Sequence, residues 1–255
     1  MRLTGIAGKI AIVTGAGGGI GQAVVRLLGE TGARVVATDR DARMLAPLAS
    51  ETVLAETLDI GDSTAVDALV ERVETDVGPV DIGINVAGVL STDLVADTND
   101  ETWRNVFAVN TDGVFHLSRA LARRMVPRKR GAIVTVSSNA AGIPRHGMAA
   151  YAASKAAATM FTRCLGLELA PFGIRCNIVA PGSTLTPMQT GMWTDDKGAE
   201  RVIAGSLETY KSGIPLGKLA TPEDIANAVI FLLSEQAGHI TMGDLYVDGG
   251  ATLRA

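Results

Sequence analysis

Residues 10–39 read IAIVTGAGGGIGQAVVRLLGETGARVVATD. An apolar run from Ile10 to Thr14 leads into TGAGGGIG, then a helical stretch from Ile20 to Leu28, then a second run from Arg34 to Asp39. Runs that are apolar throughout, rather than alternating, belong to strands covered on both faces. Strand, glycine-rich corner, helix and strand in that order predict a parallel βαβ unit.

The alternation continues through Val53 to Asp59, Asp81 to Asn85, Ala132 to Ser137, Ile174 to Ala180 and Leu245 to Val247. The expected fold is α/β, a single Rossmann-type domain over residues 1–255 with a doubly wound parallel sheet of about seven strands and helices on both faces. No repeat or Pro/Ser-rich linker divides it. Ser183 to Gly213, STLTPMQTGMWTDDKGAERVIAGSLETYKSG, has mixed polarity and no strand period. It is expected to be a mobile segment over a substrate site at the carboxyl ends of the strands.

Charge and composition exclude several classes of function. The 23 Lys and Arg are balanced by 27 Asp and Glu, and the one basic run, Arg123, Arg124, Arg128, Lys129 and Arg130, reads as a solvated helix end, so nucleic acid is not expected as a partner. Cys164 and Cys176 are too few for a disulfide framework or a four-ligand zinc site; they read as buried, reduced thiols, and no metal is expected. No signal peptide and no apolar run of about 20 residues is evident, so no membrane is implied and the protein is expected in the cytoplasm.

In the glycine-rich corner, Gly15, Gly19 and Gly21 allow a tight turn and close approach of a pyrophosphate to the N–H groups of the following helix. Asp39 ends the second strand 18 residues past Gly21, where a carboxylate accepts hydrogen bonds from an adenosine ribose and repels a 2′-phosphate. NAD is therefore the expected cofactor. Asp39 also fits a turn or helix cap, and the adjacent Arg40 leaves NADP open.

Tyr151 and Lys155 lie in YAASKAAATMF, a helix-forming stretch whose i, i+4 spacing places phenol and ammonium on one face. A tyrosine near its ordinary pKa of about 10 is a poor base at neutral pH. A neighbouring cation is expected to lower it. GAIVTVSS carries Ser138 just past a strand end, 13 residues before Tyr151, and NVFAVNTDGVF carries Asn110.

TGAGGGIG, Asp59, NVAG at Asn85 to Gly88, Asn110, Ser138, YAASK, Pro181 and Gly182 together resemble the signature set of the short-chain dehydrogenase/reductase family over nearly the whole chain. The resemblance implies that Ser138 orients the substrate oxygen and Tyr151 exchanges its proton. It implies that Lys155 holds the nicotinamide ribose and tunes Tyr151, and that Asn110 supports a proton relay. It further implies cofactor contacts from Ile20, Asp59, Ile60, Asn85, Gly88, Pro181, Gly182 and Thr186, and a homodimer or homotetramer assembled through the helices at Thr111 to Arg124 and Ala152 to Ala170.

The stretches Val134 to Ala157, Arg175 to Trp193, Lys211 to Ser234 and Val247 to Ala255 go further and together resemble members of that family that oxidise a ring hydroxyl of a dihydrodiol carboxylate. An anionic cyclic substrate needs a cation near Tyr151, and Arg145 on the loop after Ser138 suits a carboxylate. Met188, Gln189 and Trp193 are expected to wall the pocket. Two alternatives stand beside this one: a family member acting on another cyclic alcohol or a 3-oxoacyl thioester, and a catalytically silent NAD(H) sensor.

Overall fold

The computed structural model describes residues 3–253. Its main sheet comprises β1 (Ile10–Thr14), β2 (Arg34–Asp39), β3 (Val53–Thr57), β4 (Val80–Asn85), β5 (Gly131–Val136), β6 (Ile174–Pro181) and β9 (Asp244–Val247), all parallel, in the order β3-β2-β1-β4-β5-β6-β9. A two-stranded antiparallel ribbon, β7 (Gly205–Ser206) with β8 (Lys211–Ser212), stands apart from it. The helices are α1 (Gly19–Glu30), α2 (Ala42–Leu45), α3 (Ser63–Asp76), α4 (Asp100–Phe107), α5 (Gly113–Arg128), α6 (Ala149–Leu169), α7 (Pro187–Thr190), α8 (Gly198–Ala204) and α9 (Pro222–Leu233).

The chain winds outward from β1 through β2 to β3, then returns to place β4 on the other side of β1. This reversal opens a crevice at the carboxyl ends of β1 and β4, the place where open α/β sheets bind ligands. β1 and β4 are buried at every residue, as central strands covered on both faces must be. One face of the sheet packs Val24, Leu28, Ile225 and Val229 from α1 and α9; the other packs Val66, Leu117, Leu121 and Leu165 from α3, α5 and α6. Each such side chain contributes about 1.5–3 kcal/mol on burial. Thr221 and Asp224 close a capping box at the start of α9, which fixes where that helix begins after Pro222.

Most expected elements stand within one or two residues of their predicted bounds. β3 stops at Thr57 because Asp59 turns the chain, accepting from the Gly61 N–H at 2.9 Å. The helix expected from Thr111 is preceded by a π turn over Ala108–Asp112, and α5 runs on to Arg128. There the basic run is tied down: Arg128 binds Glu74 through both guanidinium nitrogens, at 2.5 and 2.9 Å, and Arg130 pairs with Asp81. The thiol reading needs correction at Cys164, which sits exposed on the outer side of α6. Cys176 is buried in β6, its thiol pushed up to about 12 by burial. Among the described residues no helix is long and apolar enough to cross a membrane.

Candidate active site

Strand register assembles the site. β5 and β6 run level up to Val136 and Val179, and the Ser137 N–H extends the ladder by donating to the Val179 carbonyl. Ser138 then leaves the sheet in extended backbone, its hydroxyl accepting from the Ala140 N–H at 3.1 Å, and it lines the same cavity as Tyr151. Tyr151 occupies the first turn of α6 and Lys155 the next. Lys155 is buried, and its Nζ donates to the Val136 carbonyl at 3.0 Å.

The electrostatics depart from the expectation that Lys155 lowers the Tyr151 pKa. Burial pushes the Tyr151 phenol up, opposed by the smaller effect of the Ser138 side chain. The Lys155 ammonium is 6.0 Å from the ring centre, and burial brings its own pKa down to about 8. The phenol thus stays protonated at neutral pH in the protein alone.

Asn110 sits in the π turn, a feature often found at functional sites. Its Oδ1 accepts from the Val89 N–H at 2.8 Å, and its Nδ2 donates to the Val89 carbonyl at 2.9 Å and to Ser154 Oγ at 3.0 Å. Through these bonds Asn110 clamps the loop after β4 onto α6. A Cβ on Gly88 of that loop would meet Lys155 Nζ at 3.2 Å and Asn110 Oδ1 at 3.3 Å. Thr14, at the end of β1, fixes the start of the loop by accepting from the N–H groups of Val86 and Ala87 at 3.1 and 3.2 Å. The sequence reading had not singled out Thr14.

A cavity of about 300 Å³ opens above these groups. Ser138, Tyr151, Lys155, Arg145, Met188 and Gln189 line it, together with Ile20, Gly88, Pro181, Gly182 and Thr186. Arg145 is half-buried; burial lowers its pKa and the charge of Asp248 raises it. Three expected residues fall elsewhere. Asn85 is buried beneath the cleft, donating to Ser118 Oγ at 3.1 Å and Thr135 Oγ1 at 3.3 Å. The Ile60 side chain belongs to the core under α5, against Gly113. Trp193 packs on Gly198 within its own segment instead of walling the cavity.

The expected mobile segment contains α7, α8 and the β7–β8 ribbon. Thr186 caps α7, and the ribbon brings Lys211 to the cavity. Lys211 was not foreseen, because two-residue strands are too short to show a period.

The corner before α1 fits a dinucleotide. A Cβ on Gly21 would lie 2.1 Å from the Gly15 carbonyl oxygen, and one on Gly15, at φ +62, would lie 2.6 Å from Ala87 Cα. The N-cap is Gly18, which offers no side-chain cap, so the first N–H groups of α1 keep their capacity for an anion. The Asp39 carboxylate accepts from the N–H groups of Gly17 and Asp41, both at 3.1 Å, and each oxygen retains a lone pair for a further donor. Asp39 is therefore a turn residue as well as a candidate ribose ligand.

A family model described as Enoyl-(Acyl carrier protein) reductase matches residues 15–252. A solved structure titled "short chain dehydrogenase/reductase family protein" superposes with a TM-score of 0.87 at 33% identity, covering 98% of this chain and 100% of that one. The chain belongs to the short-chain dehydrogenase/reductase family. It is also similar to two curated 2,3-dihydro-2,3-dihydroxybenzoate dehydrogenases. That of Bacillus subtilis is 56% identical over 259 residues, covering 99% of each chain. That of Escherichia coli is 43% identical over 249 residues, covering 97% of this chain and 98% of that one. The protein is thus an oxidoreductase of a family that uses NAD or NADP.

Proposed function

We propose that this protein oxidises 2,3-dihydro-2,3-dihydroxybenzoate to 2,3-dihydroxybenzoate with NAD, as a step in making a catechol siderophore. The observation that carries the reading is Arg145, a half-buried cation lining the same cavity as Ser138, Tyr151 and Lys155. The anionic dihydrodiols named for the similar dehydrogenases would place a carboxylate at Arg145 and a ring hydroxyl at Tyr151.

Bound along the β1 and β4 ends, the oxidised dinucleotide supplies the hydride acceptor and a positive charge that opposes the effect of burial on Tyr151. Ser138 holds the substrate oxygen, Tyr151 takes its proton, and Lys155 adds a second positive charge beneath the phenol. Gly15, Gly19 and Gly21 admit the pyrophosphate, with Ile20 and Thr186 beside it. Asp39 receives the ribose and selects NAD over NADP. Asp59 and the backbone at Ile60 stand nearest the adenine end. Asn110 is a positioning residue, holding Gly88 against Lys155. Loss of hydride and proton leaves a ring that aromatises, which drives the reaction forward.

The segment 183–213 closes over the substrate. Phe115 on α5 and Met160 and Leu167 on α6 are exposed, which supports assembly into a homodimer or homotetramer through these helices. Light scattering at micromolar concentration tests that assembly, and a monomer would refute it. A cytoplasmic location suits the coenzyme. A silent NAD(H) sensor would not need Ser138, Tyr151 and Lys155 gathered on one cavity. The test is to offer the dihydrodiol carboxylate and an acetoacetyl thioester side by side: we expect turnover of the first, and reduction of only the second would transfer the protein to the acyl-thioester reductases.

A further inference from the structure

Lys211, on β8, lines the same cavity as Arg145. Neither side chain has a hydrogen bond or ion pair to another group among the described residues, and Lys211 lies close enough to Arg145 to feel its charge. Burial and the Arg145 charge both push the Lys211 ammonium down. Like charges facing one partly desolvated space are unfavourable unless an anion joins them.

The backbone is built to hold Lys211 there. A Cβ on Gly205, at φ +82, would lie 2.5 Å from the Lys211 carbonyl oxygen, and one on Gly213 would lie 2.3 Å from the Ile203 carbonyl oxygen. Only glycine at these positions lets the ribbon cross so closely. Ser212 Oγ donates to the Ala251 carbonyl at 2.7 Å, and the Ile214 N–H donates to the Ile203 carbonyl at 2.8 Å. The ribbon is thereby anchored to α8 on one side and to the turn after β9 on the other.

Asp248 is the anion that acts on Arg145, but its own oxygens already accept from the Gly250 and Thr252 N–H groups at 3.0 and 3.1 Å and from Asn139 Nδ2 at 3.4 Å. One further negative charge balances the two cations against Asp248. A carboxylate has lone pairs enough to seat a guanidinium fork and an ammonium together.

We propose that Lys211 is a second specificity-determining cation of the substrate site, closing with Arg145 on the carboxylate of the ring. The inference rests on the ring-carboxylate reading of the substrate and adds to it a residue from the covering segment. The ribbon then engages only a charged ring, and a neutral cyclic alcohol leaves Lys211 without a partner.

The test compares 2,3-dihydroxybenzoate with catechol, the same ring without the carboxylate, by calorimetric titration of the NAD-loaded wild-type, Lys211→Met and Lys211→Arg proteins. We expect Lys211→Met to weaken 2,3-dihydroxybenzoate at least tenfold and to leave catechol within about twofold. Lys211→Arg should restore most of the difference, and in turnover Lys211→Met should raise KM with little change in kcat. Equal weakening of both ligands, no weakening of either, or a wild type that does not prefer the carboxylate would overturn the proposal. If the wild type fails to oxidise the dihydrodiol while its preference for the carboxylate still depends on Lys211, the cation site stands and the substrate assignment falls.

Discussion

Lys155 Nζ lies 6.0 Å from the centre of the Tyr151 ring and donates to the Val136 carbonyl, so the ammonium sits beside the phenol without bonding it. Ser138 lines the same cavity as the phenol. Tyr151→Phe keeps the ring and removes only the hydroxyl with its transferable proton. Turnover should fall by about 10²–10⁴, the usual worth of general acid–base catalysis. Coenzyme affinity, read by fluorescence titration, should stay within about threefold. Near-normal turnover would remove Tyr151 from the chemistry.

The buried ammonium has a stability signature. Lys155 falls from 10.5 to about 8 on folding, so between those values the unfolded chain binds a proton that the folded chain does not. Stability from this group therefore rises with pH across that window, and below it the burial cost is felt in full. Urea unfolding of wild type and Lys155→Met at several pH values should show their difference moving in the wild type's favour from pH 8 toward 10. A constant difference would place Lys155 in water.

Coenzyme choice rests on Asp39. Asp39→Ala removes the charge that opposes a 2′-phosphate and also releases Gly17, so the NAD-over-NADP ratio of kcat/KM should narrow about tenfold or more. A wild-type ratio favouring NADP would overturn the assignment.

Arg145→Ala should raise KM for the carboxylate substrate about 10- to 100-fold, as loss of a charge-assisted hydrogen bond implies, and should act far less on an uncharged cyclic alcohol. Equal effects on both would count against a carboxylate role.

Two glycines of α1 should behave oppositely. At Gly21 a Cβ would strike the Gly15 carbonyl, whereas at Gly29 nothing lies within 4 Å. Gly29→Ala should stabilise by about 0.5–1 kcal/mol through helix propensity, and Gly21→Ala should destabilise and weaken coenzyme binding. Thermal unfolding with and without NAD separates the two.

The sheet was legible because its central strands are buried on both faces and so are predominantly apolar. Ser138, Tyr151 and Lys155 were legible because each stands at a fixed distance from a strand end or along one helix. Side-chain direction was not: nothing in the string NVAG tells that Asn85 points under the sheet, or in Asp59-Ile60 that the second residue joins the core. The sign of the Tyr151 shift also eluded a reading by neighbours, since spacing shows that Lys155 is near but not that burial outweighs it. Lys211 was hidden because its position depends on close backbone contacts at Gly205 and Gly213, which leave no periodic trace.

The most direct measurement follows absorbance at the NADH band after 2,3-dihydro-2,3-dihydroxybenzoate is added to the protein with NAD, with the product identified. The wild type should give NADH and 2,3-dihydroxybenzoate in equal amounts, and Tyr151→Phe a rate lower by about two orders of magnitude or more. No NADH from the wild type, or equal rates from both proteins, would contradict the assignment.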